Sequence, residues 1–253
     1  MSYELLQIDL TIMKVKQTVI VSVDGNIGSG KSTTDEKYKE YVKDCYASSL
    51  CDGISYIFKS IESIDEICFL DEPVQQWSTI RDKDGVDILT NLYKDTKANA
   101  FKFQMMAYIS RLALLRNAIK DPKIKLIITE RSVETDRNVF AKMLYDAGDI
   151  AEDEFSIYTL WFDEFISDVR LSGIIYVNAS PDVCIQRIKQ RSRPGETIHA
   201  DYIQRCHDYH EKWINQNTCP ILTLPANEDV IGTPQLLNDR IERITQFINK
   251  LFV

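Results

Sequence analysis

Five apolar, β-prone runs are spaced along the chain, and helical patterns separate them. No other feature constrains the fold as much. The runs are TVIVSVD (18–24), EICFLDE (66–72), KLIITER (125–131), GIIYVNA (173–179) and CPILTLPA (219–226). Each is almost continuously apolar, as expected of parallel strands covered on both faces. Between them, Tyr38, Tyr41, Val42, Cys45 and Tyr46 keep helical spacing, and residues 97–120 form a long, mostly apolar helical pattern. Ser180-Pro181 and Thr233-Pro234 each read as an N-cap followed by a first-turn proline. The last helix puts Leu237, Ile241, Ile244, Ile248 and Leu251 on one face. No Gly/Ser linker, low-complexity tract or repeat interrupts the alternation. The expectation is one α/β domain over 1–253 with a parallel sheet, preceded by an N-terminal extension at 1–16. Such sheets bind ligands beyond the carboxyl ends of their strands.

Composition narrows the partners. Of 253 residues 44% are hydrophobic, enough for a large core, and the net charge of −8 argues against a nucleic-acid polymer as main partner. No run approaches the ~18 apolar residues of a membrane span. The opening MSYELLQIDLTIMKVKQ carries Glu4 and Asp9 and reads as neither a signal nor a transit peptide. The six cysteines (45, 51, 68, 184, 206, 219) are scattered without a CxxC pair, which predicts reduced, buried thiols in a soluble cytoplasmic protein. Cys206, His207 and His210 share a stretch with Ile203, Trp213 and Ile214 and lack a second ligand pair nearby. They read as a packed helix face rather than a zinc site.

The first run ends in Gly25-Asn26-Ile27-Gly28-Ser29-Gly30-Lys31-Ser32-Thr33. This is the P-loop spacing, placed between a strand and a helix. Its glycines let successive N–H groups face one anion, and the next helix points its N-terminal dipole there. Lys31 would reach the outer phosphates and the Ser32 hydroxyl would ligate Mg²⁺. Asp82 to Gly85 matches a short DxxG pattern, but no NKxD element accompanies it. Those residues read as a turn, and a GTPase is disfavoured.

The other strand ends carry charge as well. FLDEP (69–73) closes an apolar strand with two acids and a proline. The third run closes on Glu130-Arg131, a pair that could serve metal and phosphoryl charge or be a structural ion pair. Arg187, Arg191 and Arg193 precede a Pro-Gly break. They form either a solvated basic helix end or a mobile lid, 187–197, over phosphates. Gln104, Ala107 and Arg111 share one face of the long helix, flanked by Phe103 and Met106, with Asp136 further along. Such a stripe could frame a flat polar ring.

Taken together, GNIGSGKST (25–33), EPVQQW (72–77), FKFQMMAYISR (101–111), ERSVETDRNVF (130–140), RIKQRSRPGE (187–196) and PANED (225–229) resemble the deoxynucleoside kinase family, in its deoxycytidine/deoxyguanosine kinase branch. The resemblance implies a P-loop kinase fold, three layers around a five-stranded parallel sheet, with a short arginine-rich lid. It implies transfer of the γ-phosphoryl group of ATP, with Mg²⁺, to a deoxynucleoside 5′-hydroxyl, and a homodimer. It makes Glu72 the general base. Arg131, Arg187, Arg191 and Arg193 would steady the transferring group, Ser32 and Glu130 would serve Mg²⁺, and Asn227, Glu228 and Asp229 would lie near the donor base. Tyr93 and Glu196 would hold the sugar 3′-hydroxyl. Trp77, Phe103 and Phe140 would wall the acceptor base, with Gln104, Arg111 and Asp136 as its polar readers. The C-terminal and long central helices are the candidate dimer faces.

An ionised Asp136 only accepts hydrogen bonds. It would welcome the exocyclic amine of cytosine or adenine and meet a carbonyl in thymine, which predicts deoxycytidine and purine deoxynucleosides over thymidine. Two alternatives stand beside this reading. A nucleoside monophosphate kinase would need cations where Glu72 stands, and an idle structural relative could have lost Lys31, Glu72 or Glu130. The polar link from 34 to 65 is longer than the family's, and its CYASSLCDGISY stretch (45–56) carries no assigned role. The lid is shorter after Glu196.

Overall fold

The computed structural model describes residues 18–52, 58, 60–191 and 198–252. Arg193, Glu196 and the N-terminal extension lie outside the described residues. The elements run β1 (Val19–Asp24), α1 (Lys31–Asp52), β2 (Ile67–Leu70), α2 (Val74–Thr79), α3 (Ile88–Lys94), α4 (Thr96–Ile119), β3 (Leu126–Glu130) and α5 (Val133–Thr135). A π-helical turn (Asp136–Ala141) leads into α6 (Lys142–Asp146) and α7 (Glu152–Phe165). Then come β4 (Gly173–Asn178), α8 (Pro181–Arg191), α9 (Ala200–Gln216), β5 (Ile221–Pro225) and α10 (Pro234–Leu251). The strands are the five apolar runs, trimmed by one to three residues at their ends.

The sheet order is β2-β3-β1-β4-β5, and every neighbouring pair is parallel. All six residues of central β1 are buried. Alternate strand residues feed two cores. Ile20, Ile127 and Ile174 join Phe103, Leu115, Tyr158 and Trp213 on one face. Val21, Ile128 and Ile175 join Tyr38, Val42, Ile203 and Ile248 on the other. Each fully buried aliphatic side chain contributes about 1.5–3 kcal/mol, so the two-sided burial explains why these runs lack polar alternation.

Several expectations are sharpened or corrected. Half of the long polar link after the P-loop is a helix, α1, which lays Tyr38, Val42 and Tyr46 on the sheet. Residues 82–85 are a turn, closed by Gly85 N donating to Asp82 O at 3.0 Å. Thr233 stands at the N-cap of α10, but its hydroxyl makes no capping bond. Cys184 and Cys206 are buried thiols, whereas Cys45, Cys68 and Cys219 are half-buried and free of disulfides. His210 is fully buried between Tyr176 and Phe140, as befits a packed helix face. The apolar face of α10 goes to the sheet through Ile244 and Ile248. Among the described residues, large apolar side chains are exposed on α4 (Ile109) and α7 (Ile157, Leu160, Trp161), and singly at Ile80 and Ile231. Among the described residues no helix is long and apolar enough to cross a membrane.

Candidate active site

A cavity of about 1690 Å³ lies along the carboxyl edge of the sheet. The β2 end lies at one side and the loop after β5 at the other, ~19 Å apart by strand spacing. The P-loop crosses its middle. Gly25 has φ +149°, and a Cβ there would come 2.4 Å from the Val177 carbonyl. Gly28, at φ +79°, would meet the Cys184 carbonyl at 2.7 Å. The loop is therefore pressed against β4 and α8 in a shape that only glycine permits. Ile27, Gly28, Ser29, Gly30, Lys31, Ser32 and Thr33 line the cavity. Gly25 and Asn26 stand behind it. Asn26 is a strut: its amide donates to Ile203 O (2.9 Å), and its Oδ1 accepts from Ile27 N (2.8 Å). Lys31 Nζ donates to Asn26 O at 2.8 Å. Burial, with the Arg131 charge nearby, lowers the Lys31 pKa to about 8.

The two acids after β2 part company. Asp71 is largely exposed and pairs with Lys39 at 3.4 Å. Glu72 turns inward, where its Oε1 meets Arg111 Nη2 at 3.2 Å and Arg131 Nε at 3.3 Å. Burial pushes the Glu72 pKa up. The guanidiniums of Arg131 and Arg111, with Lys31, outweigh that and hold it below the ordinary value. Glu72 is thus ionised at neutral pH.

Arg131 sits at φ +63°, in the left-handed region. That conformation costs a non-glycine residue about 1–3 kcal/mol. Its contacts over-determine it: N donates to Val23 O (3.0 Å) and Nη1 to Gly25 O (2.9 Å). Its guanidinium also stacks 4.7 Å from the Phe140 ring centroid. No sequence signal announced this geometry.

On α4, Gln104, Ala107 and Arg111 are buried and line the cavity, as does Phe103. Met106 is half-buried and does not line it. Trp77, from α2, packs edge-on to Phe103 with centroids 5.3 Å apart. Its Nε1 donates to Ser110 Oγ at 2.9 Å, a partner that sequence reading missed. The π-helical turn brings Asp136 and Phe140 to the same wall; such insertions are frequent at functional sites. Arg111 is the hub. Its Nε donates to Asp136 Oδ2 (2.9 Å), and its Nη1 to Glu130 O (2.6 Å). Burial raises the Asp136 pKa while Arg111 opposes the rise. The two carboxylates overcome burial to raise that of Arg111. The side-chain amide of Gln104, 2% exposed, has no hydrogen bond among the described residues.

At the other side, Arg187 Nη1 donates to Ala226 O (2.7 Å) and Ser29 O (3.2 Å), and Nη2 reaches the Asn227 and Glu228 carbonyls. It ties the P-loop to the loop after β5. Asn227, Glu228 and Asp229 line the cavity there, and Tyr93 and Arg191 line it too. Sequence reading also missed Arg240 of α10. It is buried against the same cavity, its Nη2 donating to Pro225 O at 2.7 Å and its Nη1 to Thr34 Oγ1 at 3.2 Å.

Ser32 Oγ donates to Glu130 Oε1 at 2.8 Å. A hydroxyl and a carboxylate side by side are hard oxygen donors that suit Mg²⁺. Asp35, three residues after Ser32, also lines the cavity; it is 3% exposed, and its Oδ1 has no hydrogen-bond partner. Burial, with Glu130 and Asp71 nearby, raises its pKa to about 7.

Comparison with known proteins gives the family. The family model described as "Deoxynucleoside kinase" matches residues 50–249. A probable deoxycytidine kinase of Fowlpox virus (strain NVSL) is 31% identical over 92% of this chain and 89% of its own length. Deoxycytidine kinase of Homo sapiens is 31% identical, with 91% of each chain covered. Mitochondrial deoxyguanosine kinase of Xenopus laevis is 29% identical over 95% of this chain and 93% of its own. This chain therefore belongs to the deoxynucleoside kinase family, phosphotransferases with ATP as donor and a deoxynucleoside as acceptor.

Proposed function

We propose that the enzyme, as one domain over 1–253, phosphorylates deoxycytidine and purine deoxynucleosides in preference to thymidine. The observation that carries the reading is Asp136, buried beside Arg111 on a wall shared with the unbonded Gln104 amide. Paired with Arg111, Asp136 is an acceptor for an exocyclic amine, whereas thymine would present a carbonyl to it. A mismatch that leaves a buried polar group unpaired costs on the order of 10²–10⁵ in kcat/KM.

In this reading the nucleoside lies at the β2 side, between Trp77, Phe103 and Phe140, and the donor enters from the β5 side over Asn227 to Asp229. Tyr93 and Glu196 hold the sugar 3′-hydroxyl. Glu72, kept ionised, accepts the proton of the 5′-hydroxyl as that oxygen attacks the γ-phosphorus. Lys31 and the loop amides hold the donor phosphates. Arg131, with Arg187, Arg191 and Arg193 from the lid, neutralises charge on the group in flight. Arg187 would first have to release the carbonyls it clamps. Ser32 and Glu130 would hold Mg²⁺, which supplies charge neutralisation to the phosphates.

A homodimer through the apolar patch of α4 and α7 and a cytoplasmic location complete the proposal. A panel of the four deoxynucleosides with ATP and labelled phosphate tests it, with deoxycytidine monophosphate as a further acceptor. Thymidine turning over as well as deoxycytidine would refute the base preference. The monophosphate outpacing the nucleoside would refute the assignment of Glu72.

A further inference from the structure

Asp35 stands three residues after Ser32 on α1, hence on the same face one turn along. It lines the cavity, as do Ser32, Glu130 and Asp71. Its surroundings are hostile to a carboxylate. The residue is 3% exposed, Oδ1 has no hydrogen-bond partner, and the nearest charges include Glu130 and Asp71. Lys39 is near enough to favour the Asp35 charge, but it makes no hydrogen bond to Asp35: its Nζ pairs with Asp71 at 3.4 Å and lies 5.6 Å from the Phe69 ring centroid. A buried carboxylate without a partner is costly, and an apolar residue would fill the position at no such cost. A cation arriving through the cavity would supply a partner.

Among the described residues no three acidic, His or Cys side chains converge closely enough to bind an ion directly. Mg²⁺ keeps several of its waters, so a carboxylate one helical turn from the residues beside the ion can meet it through them. We propose that Asp35 is an outer-sphere ligand that holds a water of the hydrated divalent cation entering with the donor nucleotide. This rests on the reading that Ser32 and Glu130 hold that cation. The resulting site has one carboxylate beside the ion and a second, buried one turn down α1, behind its hydration shell.

Titrating Mn²⁺ into the ADP-bound enzyme, with free Mn²⁺ read by electron paramagnetic resonance, tests the role without turnover. Asp35→Asn should weaken Mn²⁺ binding about 10-fold, the low end of the effect of losing an outer-shell partner. Glu130→Gln should weaken it more. If Glu130→Gln weakens binding and Asp35→Asn does not, Asp35 has no part in the site while the Ser32–Glu130 reading stands. If neither changes it, both readings fall. Melting curves add a second readout. Without metal, Asp35→Asn and Asp35→Val should melt at or above the wild-type temperature, and Mn²⁺ with ADP should stabilise the wild type more than either. A metal-free melting temperature lowered by both substitutions would make Asp35 a structural residue and overturn the proposal.

Discussion

Arg111→Met isolates the hub of the site. Arg111 is 2% exposed and bonds two carboxylates, Asp136 at 2.9 Å and Glu72 at 3.2 Å. Methionine fills much of the same volume without the charge. Glu72 would keep Arg131 at 3.3 Å, but Asp136, 4% exposed, would be stranded. Removing one member of a buried ion pair costs about 3–5 kcal/mol. For a chain of this size each kcal/mol lowers Tm by about 2–4 °C, so the single variant should melt roughly 6–20 °C lower. Asp136→Ala in the same background removes the stranded charge and should restore at least half of that loss. The double variant also swaps the polar readers for an apolar wall, so kcat/KM for thymidine relative to deoxycytidine should rise at least about 10-fold. Thermal melting and a two-substrate assay measure both effects. If the two substitutions are additive in Tm, Asp136 is not a charged partner of Arg111. If the substrate ratio does not move, the base pocket is assigned wrongly.

Glu72→Gln should lower kcat by about 10²–10⁴, the usual contribution of a general base, whereas Asp71→Asn, on an exposed side chain, should change it less than about threefold; the reverse pattern would mean the pair is assigned backwards. Lys31 predicts a limb near pH 8 in kcat/KM for ATP, because the charged ammonium that holds phosphate is lost as pH rises through its lowered value. The same group weighs against folding in full below pH 8 and less as pH climbs toward its ordinary 10.5, since the unfolded chain binds the proton more tightly in that window. A profile flat from pH 7 to 9 would contradict the shift. Leu160→Glu together with Trp161→Glu, on the exposed face of α7, should convert a dimer to a monomer by light scattering with little change in Tm; a wild type that is already monomeric disproves the dimer.

Much of the fold and part of the site were legible in the sequence, for local reasons. A strand buried on both faces needs an apolar run, so all five strands could be read within a few residues. The P-loop is a single contiguous turn, and its glycines follow from local backbone geometry. Resemblance then marked Glu72 as the base, while the strand pleat sends Asp71 to the opposite side.

The polar readers were visible as a helical stripe because i, i+3 and i+7 share a face. Their bonds were not visible. Arg111 reaches 25 residues to Asp136 and 39 to Glu72, and nothing in either segment states that the other lies beside it. Nothing in the sequence marked Asp35. Arg240 belonged to a helix whose apolar face was its only evident feature, and Arg131 gave no sign of a left-handed backbone.

The sequence by itself determined the parallel sheet, the phosphate loop and the chemical inventory, because periodicity and turn geometry are short-range. The tertiary structure decided which charges meet, because strand order sets which strand ends stand side by side. With β3 between β1 and β2, Glu72, Arg131 and the P-loop converge on one edge, so Glu72 stays ionised and Asp35 feels the Glu130 charge.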